Sequence, residues 1–203
     1  MSHVVALCGG VGGAKLAFGL AQLLPPGDLT VVVNTGDDFE HLGMHISPDI
    51  DTVIYTLSGL ADRQRGWGLA GESWNFMDAV KRLGGESWFQ LGDRDLATHV
   101  ERTRRLREGQ TLSQATQAIA GALGVAHAIV PMSDDPVRTM VATEIGELAF
   151  QLHFVAEQCR PAVTGIRFEG AEAARAAPGF MKSCCPKATA AMLRNCPSIF
   201  ARV

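Results

Sequence analysis

Blocks of apolar and polar residues divide the first third of the chain cleanly. Val4–Cys8 is an unbroken apolar run, VVALC, as expected of a strand buried on both faces. Four glycines follow within five positions: Gly9, Gly10, Gly12 and Gly13. From Ala14 the apolar residues Leu16, Ala17, Leu20, Leu23 and Leu24 recur at helical spacing, and Pro25-Pro26-Gly27 ends that helix because proline cannot continue the ladder. Leu29–Val33, LTVVV, predicts a second buried strand, and NTGDDFEHLG after it predicts a polar loop. Strand, glycine loop, helix, strand is the start of a parallel α/β sheet with right-handed crossovers.

The pattern continues with helices. SPDIDTVIYTLSGL predicts a helix opening after Pro48, with Asp49 and Asp51 near its positive end. GESWNFMDAVKRLGG predicts a helix closed by Gly84. LGDRDLATHVERTRRLREG predicts another, with Asp93 as its N-cap, Leu96, Val100 and Leu106 along one face, and a stop at Gly109. Thr111 and Gln114 form a capping box before a helix that runs to Leu123. AHAIVPMSDDPV reads as a strand entering a polar loop, and residues 163–168 as one more strand.

Composition narrows the class. Of 203 residues, 47% are apolar and 19% charged, which is enough to build a substantial core. The net charge of −3 offers no bulk attraction to nucleic acid or to an anionic membrane. Residues 4–8 are too short an apolar run for a membrane span or a leader. Five cysteines without CxxC spacing read as reduced thiols, so a cytoplasmic protein is expected.

The glycine loop fits neither common phosphate motif. A P-loop needs Gly-Lys-Ser/Thr, whereas Lys15 lies between Ala14 and Leu16; the dinucleotide fingerprint started at Gly10 and Gly12 meets Lys15 at its third glycine. What remains is the physics both share, free amides at a helix N-terminus aimed at an anion, with Lys15 adding charge. Asp37, Asp38, Asp49 and Asp51 follow the second strand, and loops at the carboxyl ends of neighbouring strands converge on one crevice. Carboxylates there would repel a diphosphate unless a cation lay between, and such oxygen ligands suit Mg²⁺. Each aspartate taken singly also serves as an ordinary turn or helix cap. Arg94 offers a planar fork for a phosphate, or is a solvated surface arginine. His99 lies one turn beyond Asp95 and can reach the same crevice. His41 and His45 are poorly suited to zinc, with Gly43 between them and no Glu after the first. Trp67, Trp74, Phe39 and Tyr55 suit either a flat heterocycle or the core.

Five segments, GGVGGAKLAFGL, LTVVVNTGDDFEHLGMHISPDIDTVIYTL, RGWGLAGES, LGDRDLATHVERT and IVPMSDDPV, resemble the 2-phospho-L-lactate transferase family (CofD-like), in the family's order. The resemblance implies a Rossmann-like parallel sheet with flanking helices, working as a homodimer with Mg²⁺. It implies transfer of a phospholactyl, phosphoenolpyruvyl or phosphoglyceryl group from a guanosine diphosphate-linked three-carbon acid to the terminal ribityl hydroxyl of the deazaflavin Fo. GMP leaves and the core of coenzyme F-420 is formed. On this resemblance Gly9, Gly10, Gly12, Gly13 and Lys15 hold donor phosphates, and Asp38 and Asp51 bind the metal. Asp38, Asp51 and Arg94 are the catalytic set, and Asp51 and Gln90 meet the acceptor. The alternatives are a nucleotide-sugar-binding regulatory relative and an inactive fragment. The resemblance weakens after Gly170. The expectation is therefore an incomplete α/β domain over residues 1–170, with the C-terminal part of the family fold missing, and a divergent, loosely packed tail over 171–203.

Overall fold

The structure, a computed structural model, describes residues 3–184. Its centre is the expected parallel sheet. Strand β1 (Val4–Cys8) pairs with β2 (Leu29–Val33), which pairs in turn with β5 (Ala128–Pro131), in the order β1-β2-β5. All five residues of β2 are buried, as the continuous apolar run requires of a central strand. Helices α1 (Gly10–Leu23), α2 (Pro48–Leu57) and α5 (Leu112–Ala122) cover one face. There Ala14, Ala17, Ile50, Val53, Ile54 and Ile119 meet Val31, Val33 and Ile129 in the main core. The Thr111–Gln114 capping box forms as the spacing predicts.

Two short hairpins interrupt the region the sequence reads as loop. β3 (Phe39–His41) and β4 (Met44–Ile46) pair around Leu42 and Gly43, both at positive φ (50° and 73°), which is the twist a two-residue hairpin turn requires. Thr103 on helix α4 (Asp93–Arg107) accepts the His45 amide at 2.8 Å and so docks this hairpin. β6 (Arg138–Thr143) and β7 (Gly146–Ala149) form the other hairpin. The predicted strand at 163–168 forms as β8 (Val163–Glu169), but it pairs antiparallel with β6 in a second sheet rather than extending the parallel one. Thr139 on β6 donates its amide to the Gly36 carbonyl, 2.6 Å away, joining this second sheet to the loop after β2. Among the described residues no helix is long and apolar enough to cross a membrane.

Helix caps are exchanged between neighbours. Asp93, expected to cap its own helix, instead accepts the amides of Asn75 and Phe76 at the start of α3 (Asn75–Arg82). Glu72, just before α3, accepts the amides of Arg94 and Asp95 at the start of α4, both at 2.8 Å. The Phe76 amide, then the Ser73 and Asn75 groups, hold the Asp93 carboxyl down at about 2.

The boundary expected at residue 170 is corrected for residues 171–184. Ala171, Ala174 and Ala177 are buried, and the Ala177 amide donates to the Met132 carbonyl at 3.0 Å. Helix α6 (Pro178–Cys184) then lays Phe180 on Val32 of the central strand. The absence of a wide apolar stripe misleads here, because small side chains are what let this segment lie close to β5. A Cβ added at Gly179 would come within 3.0 Å of both Val130 methyls. The remainder of that expectation, residues 185–203, lies outside the described residues.

Two stability measurements follow from this packing. Phe180→Ala is expected to cost about 3 kcal/mol in urea unfolding, the low end for a buried phenylalanine because its apolar cluster is small; a loss of under about 0.5 kcal/mol would restore the boundary at 170. Asp93→Ala should lower Tm by about 2–4 °C, as for the loss of one cap in a chain of this size. That difference should shrink as pH falls from about 4 to about 2, because the lowered carboxyl contributes stability only while ionised.

Candidate functional site

A cleft of about 1040 Å³ opens at the carboxyl ends of β1 and β2, where α1 and α2 begin. One end is built by the glycine loop. Gly10 adopts φ +58°, a conformation that favours glycine, and its amide points at α2 rather than into open solvent. It donates to Asp49 Oδ1 at 2.8 Å, while Asn34 Nδ2 holds Asp49 Oδ2 at 3.0 Å. A carboxylate of the protein thus occupies part of the anion position at this helix N-terminus. Asp37 lies beside it, half-buried, with the Thr139 hydroxyl 3.3 Å from its Oδ1. Burial, then the nearby Asp49 charge, pushes the Asp37 carboxyl up to about 6.

Next to that end, from Asp51 onward, runs a buried stripe on two helices. Asp51 and Tyr55 are i, i+4 on α2; Asp95, His99 and Arg102 are i, i+4, i+7 on α4. Arg102 grips Asp51 with both terminal nitrogens, NH1 at 3.1 Å from Oδ2 and NH2 on Oδ1. His99 lies between the carboxylates, Nδ1 3.6 Å from Asp51 and Nε2 3.3 Å from Asp95. The Tyr55 hydroxyl donates to the other Asp95 oxygen. Burial pushes Asp95 up, but the His99 and Tyr55 contacts outweigh it and leave the carboxyl below its ordinary range. Burial, then the charges of Asp51 and Asp95, raises the Tyr55 hydroxyl. Burial opposes the Arg102 charge, and Asp51 more than compensates.

Aromatic rings also line the cleft. Trp88 and Phe89 stand edge-to-face, and Phe150 and Phe154 are stacked with an interplanar angle of 8°. Trp67 reaches the cleft from a loop where the Arg65 guanidinium lies 5.1 Å from its ring and 4.7 Å from that of Trp74.

The sequence-predicted residues divide accordingly. Gly9, Gly10, Asp51 and Gln90 line the cleft; Gln90 donates to the Ser87 carbonyl at 2.8 Å. Gly12, Gly13, Lys15, Arg94 and Asp38 are not among the lining residues. Gly13 serves packing, since an added Cβ would lie 2.9 Å from Cys8 Cα where the helix crosses the strand. Lys15 is exposed, and Arg94 donates to the Ala70 carbonyl at 2.8 Å. Asp38 is buried against His45 Nε2 (3.1 Å) and Ser47 Oγ (2.8 Å), and burial pushes its carboxyl up. His41 and His45 face different carboxylates, Glu86 and Asp38, as suits two histidines that do not share a metal. Sequence reasoning misses Arg102 as a site residue, reads Tyr55 as a ring for a heterocycle or the core, and takes Asp95 only as the marker for His99. The only signal for Arg102 is the 4-then-3 spacing of polar residues on α4, and it stands among Arg104, Arg105 and Arg107 with nothing to single it out.

A parallel α/β sheet with flanking helices and a cleft at the carboxyl ends of its strands defines a Rossmann-like protein. The chain belongs to the family described as 2-phospho-L-lactate transferase CofD, whose profile matches residues 4–187. It is similar to the phosphoenolpyruvate transferase of Streptomyces avermitilis, 40% identical over 186 residues, covering 89% of this chain and 58% of that protein. It is also similar to the 2-phospho-L-lactate transferase of Methanosarcina mazei, 38% identical over 180 residues, covering 89% and 59%. The chain therefore spans somewhat under two thirds of the length of these relatives. A solved UPF0052-family protein from Bacillus halodurans shares the fold, with a TM-score of 0.54 at 14% identity over 90% of this chain and 56% of its own.

The Asp37–Asp49 pair has a measurable signature. A carboxyl raised in the fold favours the protonated form, so its contribution to stability is present below about pH 4 and is lost as pH rises through about 6. In metal-free buffer Asp37→Asn should raise Tm by a few degrees at pH 7.5 and by nothing at pH 4. Equal melting of the two proteins at pH 7.5 would show that the two carboxylates do not repel.

Proposed function

We propose that the protein transfers a phosphorylated three-carbon acid from a guanosine diphosphate-linked donor to the terminal ribityl hydroxyl of the deazaflavin Fo. GMP leaves, and the product is the core of coenzyme F-420. The observation that carries this reading is the cleft itself, in which Asp37, Asp49, Asp51 and the start of α1 share one lining with the rings of Trp67, Trp88, Phe89, Phe150 and Phe154. A diphosphate calls for a cation and a helix N-terminus, an alcohol for a carboxylate that accepts its proton, and flat heterocycles for aromatic rings.

Transfer to a hydroxyl breaks the phosphoanhydride to GMP and forms one new P–O bond as the hydroxyl proton is lost. Such a transition state is loose, so alignment and charge stabilisation matter more than covalent chemistry. Asp51, its plane fixed by Arg102, accepts the hydroxyl's hydrogen bond and aims its oxygen. Gln90 also lines the cleft. Arg102 already engages both Asp51 oxygens, and Asp38 is packed against His45 and Ser47, so the metal pair expected from the resemblance is better replaced by Asp37 and Asp49. Their oxygen donors suit Mg²⁺, and the Asp37 carboxyl is raised by burial first and by the nearby Asp49 charge second, both of which a bound cation would offset. Bound there, Mg²⁺ would neutralise donor phosphate charge. The Val11 amide, in the first turn of α1 with no carbonyl behind it in the helix and at the cleft lining, remains for a phosphate oxygen.

The test is GMP release from the 203-residue chain with Fo, Mg²⁺ and, in parallel, donors carrying lactate, enolpyruvate or glycerate. The wild-type chain is expected to release GMP only when Fo is present. Asp49→Asn should reduce turnover by about 100-fold or more while Tm stays within a few degrees, and Asp51→Asn, which also strips Arg102 of its partner and lowers Tm further, should lose as much per molecule shown folded by circular dichroism. Fo-independent release, or near-normal turnover by Asp51→Asn, would overturn the assignment.

A further inference from the structure

Asp51, Asp95 and His99 place two carboxylates and an imidazole within 4.8 Å of one another, all buried. By chemistry this is the donor set of a divalent metal. A metal there would stand against a fixed positive charge, because Arg102 already holds both Asp51 oxygens. Arg102 is 0% exposed, and its guanidinium touches Asp51, His99 and the His45 carbonyl, 3.5 Å from NH1. Its NH1 also lies 3.4 Å from His99 Nδ1, the imidazole edge that a metal would otherwise use. Its planar fork matches a carboxylate bidentately, and it cannot lose its proton.

We propose that Arg102 is a built-in cation: it stands where a divalent ion would stand among Asp51, Asp95 and His99, keeps metal out of that trio, and acts as the positioning residue for Asp51. The cleft then has two cation positions of different kinds. The one at Asp51 is covalently part of the chain and cannot be chelated away; the one at Asp37 and Asp49 is exchangeable. The kinetic consequence presupposes the transfer proposed above, whereas the metal consequence does not.

Mn²⁺ titration followed by electron paramagnetic resonance tests the metal consequence. His99→Ala and Asp95→Asn in the otherwise wild-type chain should bind Mn²⁺ within about twofold of wild type, because the trio holds no metal. A loss of about tenfold or more in either overturns the proposal, and this arm needs no change at Arg102. Arg102→Met, checked for folding by circular dichroism, should gain one further Mn²⁺ equivalent, and adding His99→Ala should remove it. A folded Arg102→Met with no gain also overturns the proposal. For the positioning role, Arg102→Met should lose about 100-fold in turnover with the donor KM changed less than about threefold, and Arg102→Lys should recover only part. Unchanged turnover in Arg102→Met refutes that role. If wild type turns over no donor, the proposed function fails while the Mn²⁺ result still decides the cation assignment.

Discussion

The ion pair between Arg102 and Asp51 is the constraint that ties the two halves of this structure together. Removing one partner of such a buried pair leaves an uncompensated charge, at a cost of about 3–5 kcal/mol, against total stabilities of about 5–15 kcal/mol for domains in general. Asp51 belongs to α2, whose other residues Ile50, Val53 and Ile54 are locked into the core over the parallel sheet. Arg102 belongs to α4, which carries the β3–β4 hairpin through Thr103 and through Arg107, whose NH2 donates to the Gly43 carbonyl at 2.9 Å. The pair therefore sets the distance between the sheet layer and the hairpin layer, and with it the depth of the cleft between them.

Reciprocal capping extends the same coupling. Because Asp93 closes the start of α3 and Glu72 closes the start of α4, neither helix start is satisfied without the other. Each carboxylate does for its neighbour what a local N-cap would do for its own helix, which makes α3 and α4 a single cooperative unit rather than two independent ones.

Legibility in the sequence followed the range of the forces involved. The β1–α1–β2 unit, α2, α5 and β5 are fixed by local periodicity and by proline or glycine stops, and all were readable. The β3–β4 and β6–β7 hairpins were not, since strands of three to six residues show too little period to separate from loop. The cap exchange was hidden because it joins residues about twenty positions apart. At the site, the acidic loop after β2 was visible, but which of the adjacent Asp37 and Asp38 faces the cleft depends on a turn closed by the Asp38 amide on the Thr35 carbonyl, 3.2 Å apart. Adjacent residues in such a turn point apart, and no pattern of types distinguishes them. The Cys8–Gly13 contact likewise gives one glycine a packing role that looks like a ligand-binding one.

The Asp49 carboxylate at the start of α1 changes how the cleft responds to salt. A bare helix terminus attracts anions, and screening weakens that attraction. Here the positive end of the helix already faces a carboxylate of the protein, with Asp37 beside it, so an incoming anion meets a field of its own sign until a cation intervenes. Modest ionic strength then eases an anionic ligand's approach instead of hindering it, and cation and anion enter most readily as a neutralised pair. The glycine-rich loop, which looks like an anion trap, thus already faces negative charge supplied by the chain itself.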